Sequence, residues 1–151
     1  MADSLLKARI FADMKSAMRA KDRARLSTVR LMLAAIKQQE VDLRIELDDK
    51  TIIVILDKMS KQRKDSITQY ESAGRDDLAA IEKQELDLIR TYLPKQMSAA
   101  EVEALLSEAM AETAATSMRD MGKVMAFIKP KAQGKTDMGK LSSLVKAKLL
   151  A

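Results

Sequence analysis

The scarcity of helix-breaking residues constrains the fold of this 151-residue chain more than any other feature. Only four glycines and two prolines interrupt the sequence, whereas folds built from many short strands need turn signals roughly every 8–12 residues. Apolar residues recur three or four positions apart along nearly all of the chain, which is the period of one face of an α-helix. We therefore predict an all-α protein.

One run of β-branched residues, Thr51–Leu56, has the composition of a strand. No second run of this kind occurs, and a lone strand would leave its backbone N–H and C=O groups unpaired. We therefore predict that this run forms the buried first turns of a helix.

Start and stop signals divide the pattern into about four helices in residues 1–97 and three helices in a small tail domain, residues 98–151. The boundary is marked by the Ser-x-x-Glu spacing of Ser98 and Glu101, which is typical of a capping box. Polar side chains suited to helix starts stand at Asp3 or Ser4, Asp22, Asp48 or Asp49, Asp76 or Asp77, Ser117 and Asp137. Pro94 is expected to end the fourth helix, with Ile81 on its buried face, and Pro130 with Gly134 to break the sixth.

Missing residue types exclude several kinds of site. The chain has no Cys and no His, which removes cysteine nucleophiles, histidine bases and the usual zinc sites. We predict no catalytic centre, no bound metal and no cofactor.

The longest apolar stretch, Ile52–Leu56, is far shorter than the roughly 18 residues of a membrane span. Without a secretion signal either, we predict a monomeric cytoplasmic protein with no membrane partner.

The net charge of +5 is distributed unevenly. Residues 98–117 carry four glutamates and no Lys or Arg, whereas residues 118–151 carry eight basic and two acidic residues. Lysines in this tail can be ordinary solvated side chains near helix C-termini, or they can form a phosphate-binding surface. In the second interpretation Lys129, Lys131 and Lys135 flank a loop, with Lys140 following. Since Phe127 is the single nearby aromatic residue, folded RNA fits this surface better than stacked single strands.

A second group of basic residues lies in the first domain, namely Arg19, Lys21, Arg23, Arg25, Lys61, Arg63 and Lys64. These residues could extend a nucleic-acid footprint. Acidic neighbours at Asp22 and Asp65 weaken that interpretation, because mixed charge is normal on helix surfaces.

Several segments resemble the YqeY family of small bacterial proteins; they are residues 21–30, 61–67, 70–79, the Tyr-Leu-Pro of 92–94, and 121–125 with the Gly-Lys of 134–135. The tail also resembles the C-terminal domain of the B subunit of tRNA-dependent amidotransferase. The resemblance implies an all-helical protein of two parts. In the amidotransferase the tail domain contacts tRNA, so the resemblance implies RNA contacts at Gly122, Lys123, Gly134 and Lys135.

Charge and resemblance together predict an accessory protein that binds tRNA or another folded RNA. The predicted contact residues are Gly122, Lys123, Lys129, Lys131, Gly134, Lys135 and Lys140. A protein adaptor of the translation machinery is the alternative. The family is also often labelled as a carbon–nitrogen ligase with glutamine as amide donor, although the amidotransferase's catalytic cradle has no counterpart in this sequence.

Overall fold

The computed structural model describes residues 4–151, which form seven α-helices and one turn of 3-10 helix. The bounds are α1 (Leu5–Ala20), α2 (Arg23–Leu43), α3 (Asp49–Ser72), α4 (Asp76–Arg90), α5 (Ala99–Thr113), the 3-10 turn (Met118–Asp120), α6 (Met121–Ala132) and α7 (Met138–Leu150). No strand occurs in this described range. The all-α prediction is confirmed.

The chain divides into two compact units, the first ending at Leu93 and the second running Pro94–Ala151. In the first unit α3 packs most extensively against α4, and α1 packs against α2. In the second unit α6 packs against both α5 and α7. The division falls a few residues before the 97/98 position, at which the capping box begins α5.

Side-chain caps begin most helices at the residues that the sequence suggests. Backbone N–H groups donate to the side chains of Ser4, Asp22 and Asp48 at distances of 3.0, 3.2 and 2.9 Å. The alternative cap at Asp3 lies outside the described residues. Ser98 and Glu101 form the predicted capping box. Each cap satisfies an N–H group that the helix itself leaves unpaired.

The predicted side-chain cap at the start of α4 is wrong. Arg75 occupies the N-cap without a side-chain hydrogen bond, and Asp76 and Asp77 already lie in the first helical turn. The cause is the end of α3, where Gly74 adopts φ +69° and the Arg75 N–H donates to the Tyr70 carbonyl at 2.8 Å. This turn returns the chain to a helical path one residue earlier than the aspartates suggest.

The run Thr51–Leu56 is helical, as predicted, and buries Ile52 and Leu56 completely. The fully buried side chains of the first unit come from all four of its helices and from Leu47. Their largest members are Ile10, Met32, Ile36, Leu47, Ile52, Leu56 and Ile89. Such a shared core explains why a β-branched run is held in a helix, since burial outweighs local propensity.

The prediction that Ile81 faces the core is wrong, because its side chain is 54% exposed. The inner face of α4 is formed instead by Ala79, Leu86 and Ile89. Between them, Glu82 and Glu85 lie 3.9 and 3.0 Å from the Nε of Arg63 on α3.

The core of the second unit joins its three α-helices. Its fully buried members include Leu106, Ala109, Val124, Ile128, Ala132, Leu141 and Val145. The helix α6 ends at Ala132, between Pro130 and Gly134, and includes Pro130 in its last turn. The Gln133 N–H donates to the Lys129 carbonyl at 3.0 Å, so the helix closes around the proline. Proline there removes a single hydrogen-bond donor, with little helix left to disrupt.

None of the helices within residues 4–151 has the length and apolar character required to cross a membrane.

Candidate nucleic-acid interface

The predicted RNA-contact residues all lie in the second unit, on two helices and the loop that joins them. Gly122 and Lys123 are in the first turn of α6, and Lys140 is in the first turns of α7. Gly134 and Lys135 belong to the intervening loop. The loop begins later than predicted, because α6 continues to Ala132. Lys129 and Lys131 lie in the last helical turn before the loop, and Lys135 lies within it.

Four of the predicted lysines are available to a ligand. The side chains of Lys123, Lys129 and Lys140 are exposed, and Lys135 is half-exposed. Within residues 4–151 none of these four forms an ion pair shorter than 4 Å. We refer to Lys123, Lys129, Lys135 and Lys140 as the free-lysine set. Unpaired ammonium groups are suited to phosphate binding, because no internal partner must be displaced.

Lys131 differs from the free-lysine set because two groups already hold it. Its ammonium nitrogen lies 3.2 Å from a carboxylate oxygen of Glu108 on α5 and 4.2 Å from the centre of the Phe127 ring. Lys148 on α7 is paired with Glu103 on α5 at 2.5 Å. The glutamates of α5 therefore neutralise part of the basic tail, although exposed pairs of this kind are weak.

Positions along α6 separate the lysines around the helix. Lys123, Phe127 and Lys131 follow one another at four-residue spacing and share a stripe. Lys129 comes six residues after Lys123, which places it about 240° further around the axis and about 9 Å along it. A rigid phosphate ladder along one stripe of α6 would therefore not contact both residues.

The backbone of the loop has a structural role of its own. Gly134 is buried with φ +78°, and its carbonyl accepts a 2.7 Å hydrogen bond from the side-chain amide of Gln96. The Lys135 carbonyl accepts from the Met97 N–H at 2.7 Å, while the Lys135 N–H donates to Ala132 at 2.9 Å. These bonds fix the segment before α5 and leave the Lys135 side chain uncommitted. The sequence gives no sign of the Gln96 contact, because the pairing is long-range and the residue lies in no periodic pattern.

Gly122 has a different environment. A Cβ atom added there would meet no atom within 4 Å apart from its own helix and chain neighbours. Internal packing therefore does not require glycine at this helical position, where glycine costs about 1 kcal/mol relative to alanine. Bare backbone at the start of α6 does allow a ligand to approach closely.

Asp120 introduces a negative charge beside this helix start. Its carboxylate accepts hydrogen bonds from the backbone N–H groups of Thr116 and Ser117 at 2.9 and 3.2 Å. These bonds, with a contribution from the Lys123 charge, hold the pKa of Asp120 below its ordinary value. The carboxylate therefore stays ionised and would limit how an RNA phosphate approaches Lys123 from that side.

Some basic residues of the first unit are already held by acidic neighbours. Arg63 is half-buried and paired with two glutamates, and Arg25 lies 3.7 Å from Asp13. Arg19, Lys21 and Arg23 are exposed around the α1–α2 turn. Among the described residues, no cluster of three or more Asp or Glu side chains is arranged to hold a metal ion.

Comparison with known proteins identifies a family and several relatives. A family model described as "Yqey-like protein" matches residues 7–149. The curated relatives include proteins named "Altered inheritance of mitochondria protein 41, mitochondrial" from several yeasts. The protein of Vanderwaltozyma polyspora is 48% identical over 82 residues, which cover 54% of this chain and 44% of the relative.

Two further proteins of that name extend the match. The relative from Saccharomyces cerevisiae is 41% identical over 93 residues, covering 61% of this chain and 48% of the relative. The relative from Lachancea thermotolerans is 37% identical over 103 residues, covering 66% of this chain and 55% of the relative. The chain thus spans about half the length of the curated relatives it matches.

These relatives contradict two predictions made from the sequence. The expectation of a bacterial protein, which came with the family resemblance, and the predicted cytoplasmic location are wrong, because the relatives are yeast proteins named as mitochondrial. Short apolar segments and missing cysteines argue against membrane spans and disulfides. They do not distinguish the cytoplasm from the aqueous interior of an organelle.

Proposed function

This chain belongs to the YqeY family, and from that premise we propose that it is an accessory protein that binds tRNA or another folded RNA through its second unit. The free-lysine set supports the proposal, since these ammonium groups lack ion-pair partners within residues 4–151. Affinity would come from phosphate contacts and specificity from the shape of the RNA.

The scale of the interaction follows from the number of free cations. If four lysines each neutralise one phosphate, the logarithm of the association constant should fall with the logarithm of salt concentration with a slope of roughly −3 to −4. Lys131 and Lys148 are expected to contribute less, because Glu108 and Glu103 already pair with them.

A titration of bulk tRNA into the full chain at several salt concentrations tests this proposal. Lys123→Gln with Lys135→Gln should weaken binding and reduce the magnitude of the salt slope by about two. Glutamine is chosen because Lys123→Glu would place a second negative charge beside Asp120. The backbone bonds of Lys135 do not depend on its side chain, so the fold should survive.

The matched control changes two exposed lysines of α3 that lie outside both basic groups, Lys50→Gln with Lys58→Gln, and removes the same charge. Binding that is absent at low salt, or that is weakened equally by both pairs of changes, would reject the proposed surface. Circular dichroism of all variants verifies that helix content is unchanged.

A further inference from the structure

The outward side of α2 carries a heptad pattern that the core of the first unit does not use. The helix buries Thr28, Val29, Met32, Ile36 and Glu40 against its neighbours. On the opposite side, six residues alternate at spacings of three and four and are all exposed; they are Ala24, Ser27, Leu31, Ala34, Gln38 and Val41. This spacing is that of the a and d positions of a coiled coil. We call these six residues the α2 seam.

Two exposed aliphatic side chains give the α2 seam its apolar character. Leu31 is 43% exposed and Val41 is 57% exposed. The small side chains of Ala24, Ser27 and Ala34 lie between them and would let a partner backbone approach closely. Near its start, the helix contributes Arg23, Leu26, Ser27, Arg30, Leu31 and Ala34 to an open surface depression.

A row of cations borders the α2 seam on one side. Arg23, Arg30 and Lys37 are seven residues apart and occupy the g positions of the heptad. All three are exposed, and none makes an ion pair within 4 Å inside residues 4–151. In coiled coils the residues at g choose the partner through opposite charges.

The same charges argue against a second copy of this chain as the partner. In an antiparallel pair g faces g, so Arg30 would meet Arg30 and Arg23 would meet Lys37. In a parallel pair g faces the following e position, where only Asp42 offers a negative charge, and Gln38 already donates a hydrogen bond to Asp42 at 2.8 Å. RNA is also a poor match, because phosphates gain nothing from covering Leu31 and Val41, and no aromatic ring lies in the seam for base stacking.

We propose that the α2 seam docks an acidic amphipathic helix of another protein, with glutamates or aspartates on the partner facing Arg23, Arg30 and Lys37. The α2 helix is about 31 Å long, so the partner helix would contribute about three heptads. Four of the six seam positions carry small or polar residues, so the apolar area of the contact is small. A small apolar area suits a reversible interaction.

Two designed peptides test whether the α2 seam prefers an acidic partner helix. Both have three heptads with Ala and Leu at a and d; one carries Glu at e and g, and the other carries Lys. Fluorescence anisotropy with the full chain should show binding of the Glu peptide at least about tenfold tighter than that of the Lys peptide. Arg23→Glu with Arg30→Glu should reverse this preference, whereas Lys58→Glu with Lys64→Glu on α3 should leave it in place.

A second pair of variants tests the apolar contact. Leu31→Gln should weaken binding of the Glu peptide at least about fivefold, whereas Ile81→Gln, which alters a similarly exposed aliphatic side chain on α4, should not. The proposal is overturned if neither peptide binds, if both bind equally, or if the arginine changes fail to reverse the preference. It is also overturned if sedimentation shows a dimer that Leu31→Gln dissociates, or if the arginine changes abolish tRNA binding without altering peptide selectivity.

Discussion

The ammonium group of Lys131 lies between the carboxylate of Glu108 and the ring of Phe127, at 3.2 Å from the nearer carboxylate oxygen and 4.2 Å from the ring centre. Together with the pair formed by Lys148 and Glu103, this contact ties the acidic helix α5 to the basic helices α6 and α7. The glutamates of α5 therefore compete with any phosphate for these two lysines.

Removing this competition should strengthen RNA binding if the proposed function is correct. We expect Glu103→Gln with Glu108→Gln to tighten tRNA binding and to steepen the salt slope by up to about two, because Lys131 and Lys148 become available for phosphates. Filter-binding titrations at several salt concentrations measure both quantities.

The control is Glu101→Gln with Glu112→Gln, which removes the same charge from the same helix without releasing a lysine from an ion pair. An equal gain in affinity from both pairs of changes would mean that overall charge, and not the release of Lys131 and Lys148, sets the affinity. Because Glu101 also closes the capping box with Ser98, the control must be verified by its helix content.

Alanine substitutions at the two glycines of the proposed interface should change the free energy of unfolding in opposite directions. Gly122→Ala should raise the free energy of unfolding by about 0.5–1 kcal/mol, because the helical site has room for a Cβ. Gly134→Ala should lower it by about 1–2 kcal/mol, because φ is +78° there. Urea denaturation measures both changes. Weaker tRNA binding by the more stable Gly122→Ala variant would identify a close approach of RNA to this backbone; unchanged binding would exclude that approach.

Helix number, most helix starts and the conversion of Thr51–Leu56 to helix could be predicted because they follow from local patterns. The error at Ile81 lies where distant residues are in contact. The periodicity of α4 predicts that Ile81 faces the core, and it does not reveal that Glu82 and Glu85 lie against Arg63 of α3. The extension of α6 past Pro130 and the early start of α4 depend instead on single hydrogen bonds at helix ends, from Gln133 to Lys129 and from Arg75 to Tyr70.

The candidate interface was predictable only in part. Lysine positions and total charge could be obtained from the sequence, but the pairing of Lys131 with Glu108 joins residues 23 positions apart. The hydrogen bond from Gln96 to the Gly134 carbonyl is also long-range. Such contacts decide which lysines are free, and they form only once the helices have packed.

Glu40 should make the first unit sensitive to acid. Its nearly buried carboxylate accepts hydrogen bonds from the Lys7 ammonium group at 2.8 and 2.9 Å and from the Leu47 N–H at 3.0 Å. The Lys7 bond is the main reason that the pKa of Glu40 lies below its ordinary value of 4.5. A lowered pKa in the folded state means that the stabilisation is fully present above about pH 4.5 and is lost as the pH falls through the folded value.

We expect Glu40→Gln to lower the free energy of unfolding by about 1–3 kcal/mol at neutral pH, because Lys7 loses its partner and the Leu47 N–H a strong acceptor. The difference from the unmodified protein should shrink as the pH falls below 4.5. Urea denaturation at a series of pH values measures this trend. Glu46→Gln, at an exposed neighbouring position, is the control; a loss that stays constant with pH would contradict the assignment to Glu40 ionisation.

Tyr92 should make the stability of the first unit sensitive to base, as Glu40 makes it sensitive to acid. Its hydroxyl donates to Asp13 at 2.5 Å, and Arg9 lies over its ring at 4.6 Å from the centre. Burial first, and then the hydrogen bond and charge of Asp13, raise the pKa of Tyr92 to about 12. Because the folded pKa exceeds the ordinary value of 10.0, this contribution to stability is complete below pH 10 and decreases as the pH rises towards 12.

The chain has two tyrosines, so a Tyr70→Phe background isolates the titration of Tyr92. In that background we expect tyrosinate absorbance to appear with a midpoint near pH 12 while the helical circular dichroism persists. Tyr92→Phe should remove this absorbance and lower the free energy of unfolding at neutral pH by about 1–2 kcal/mol, since Asp13 loses a donor. Titration of Tyr92 near pH 10 in the folded protein would show that burial and the Asp13 contact do not raise its pKa in solution.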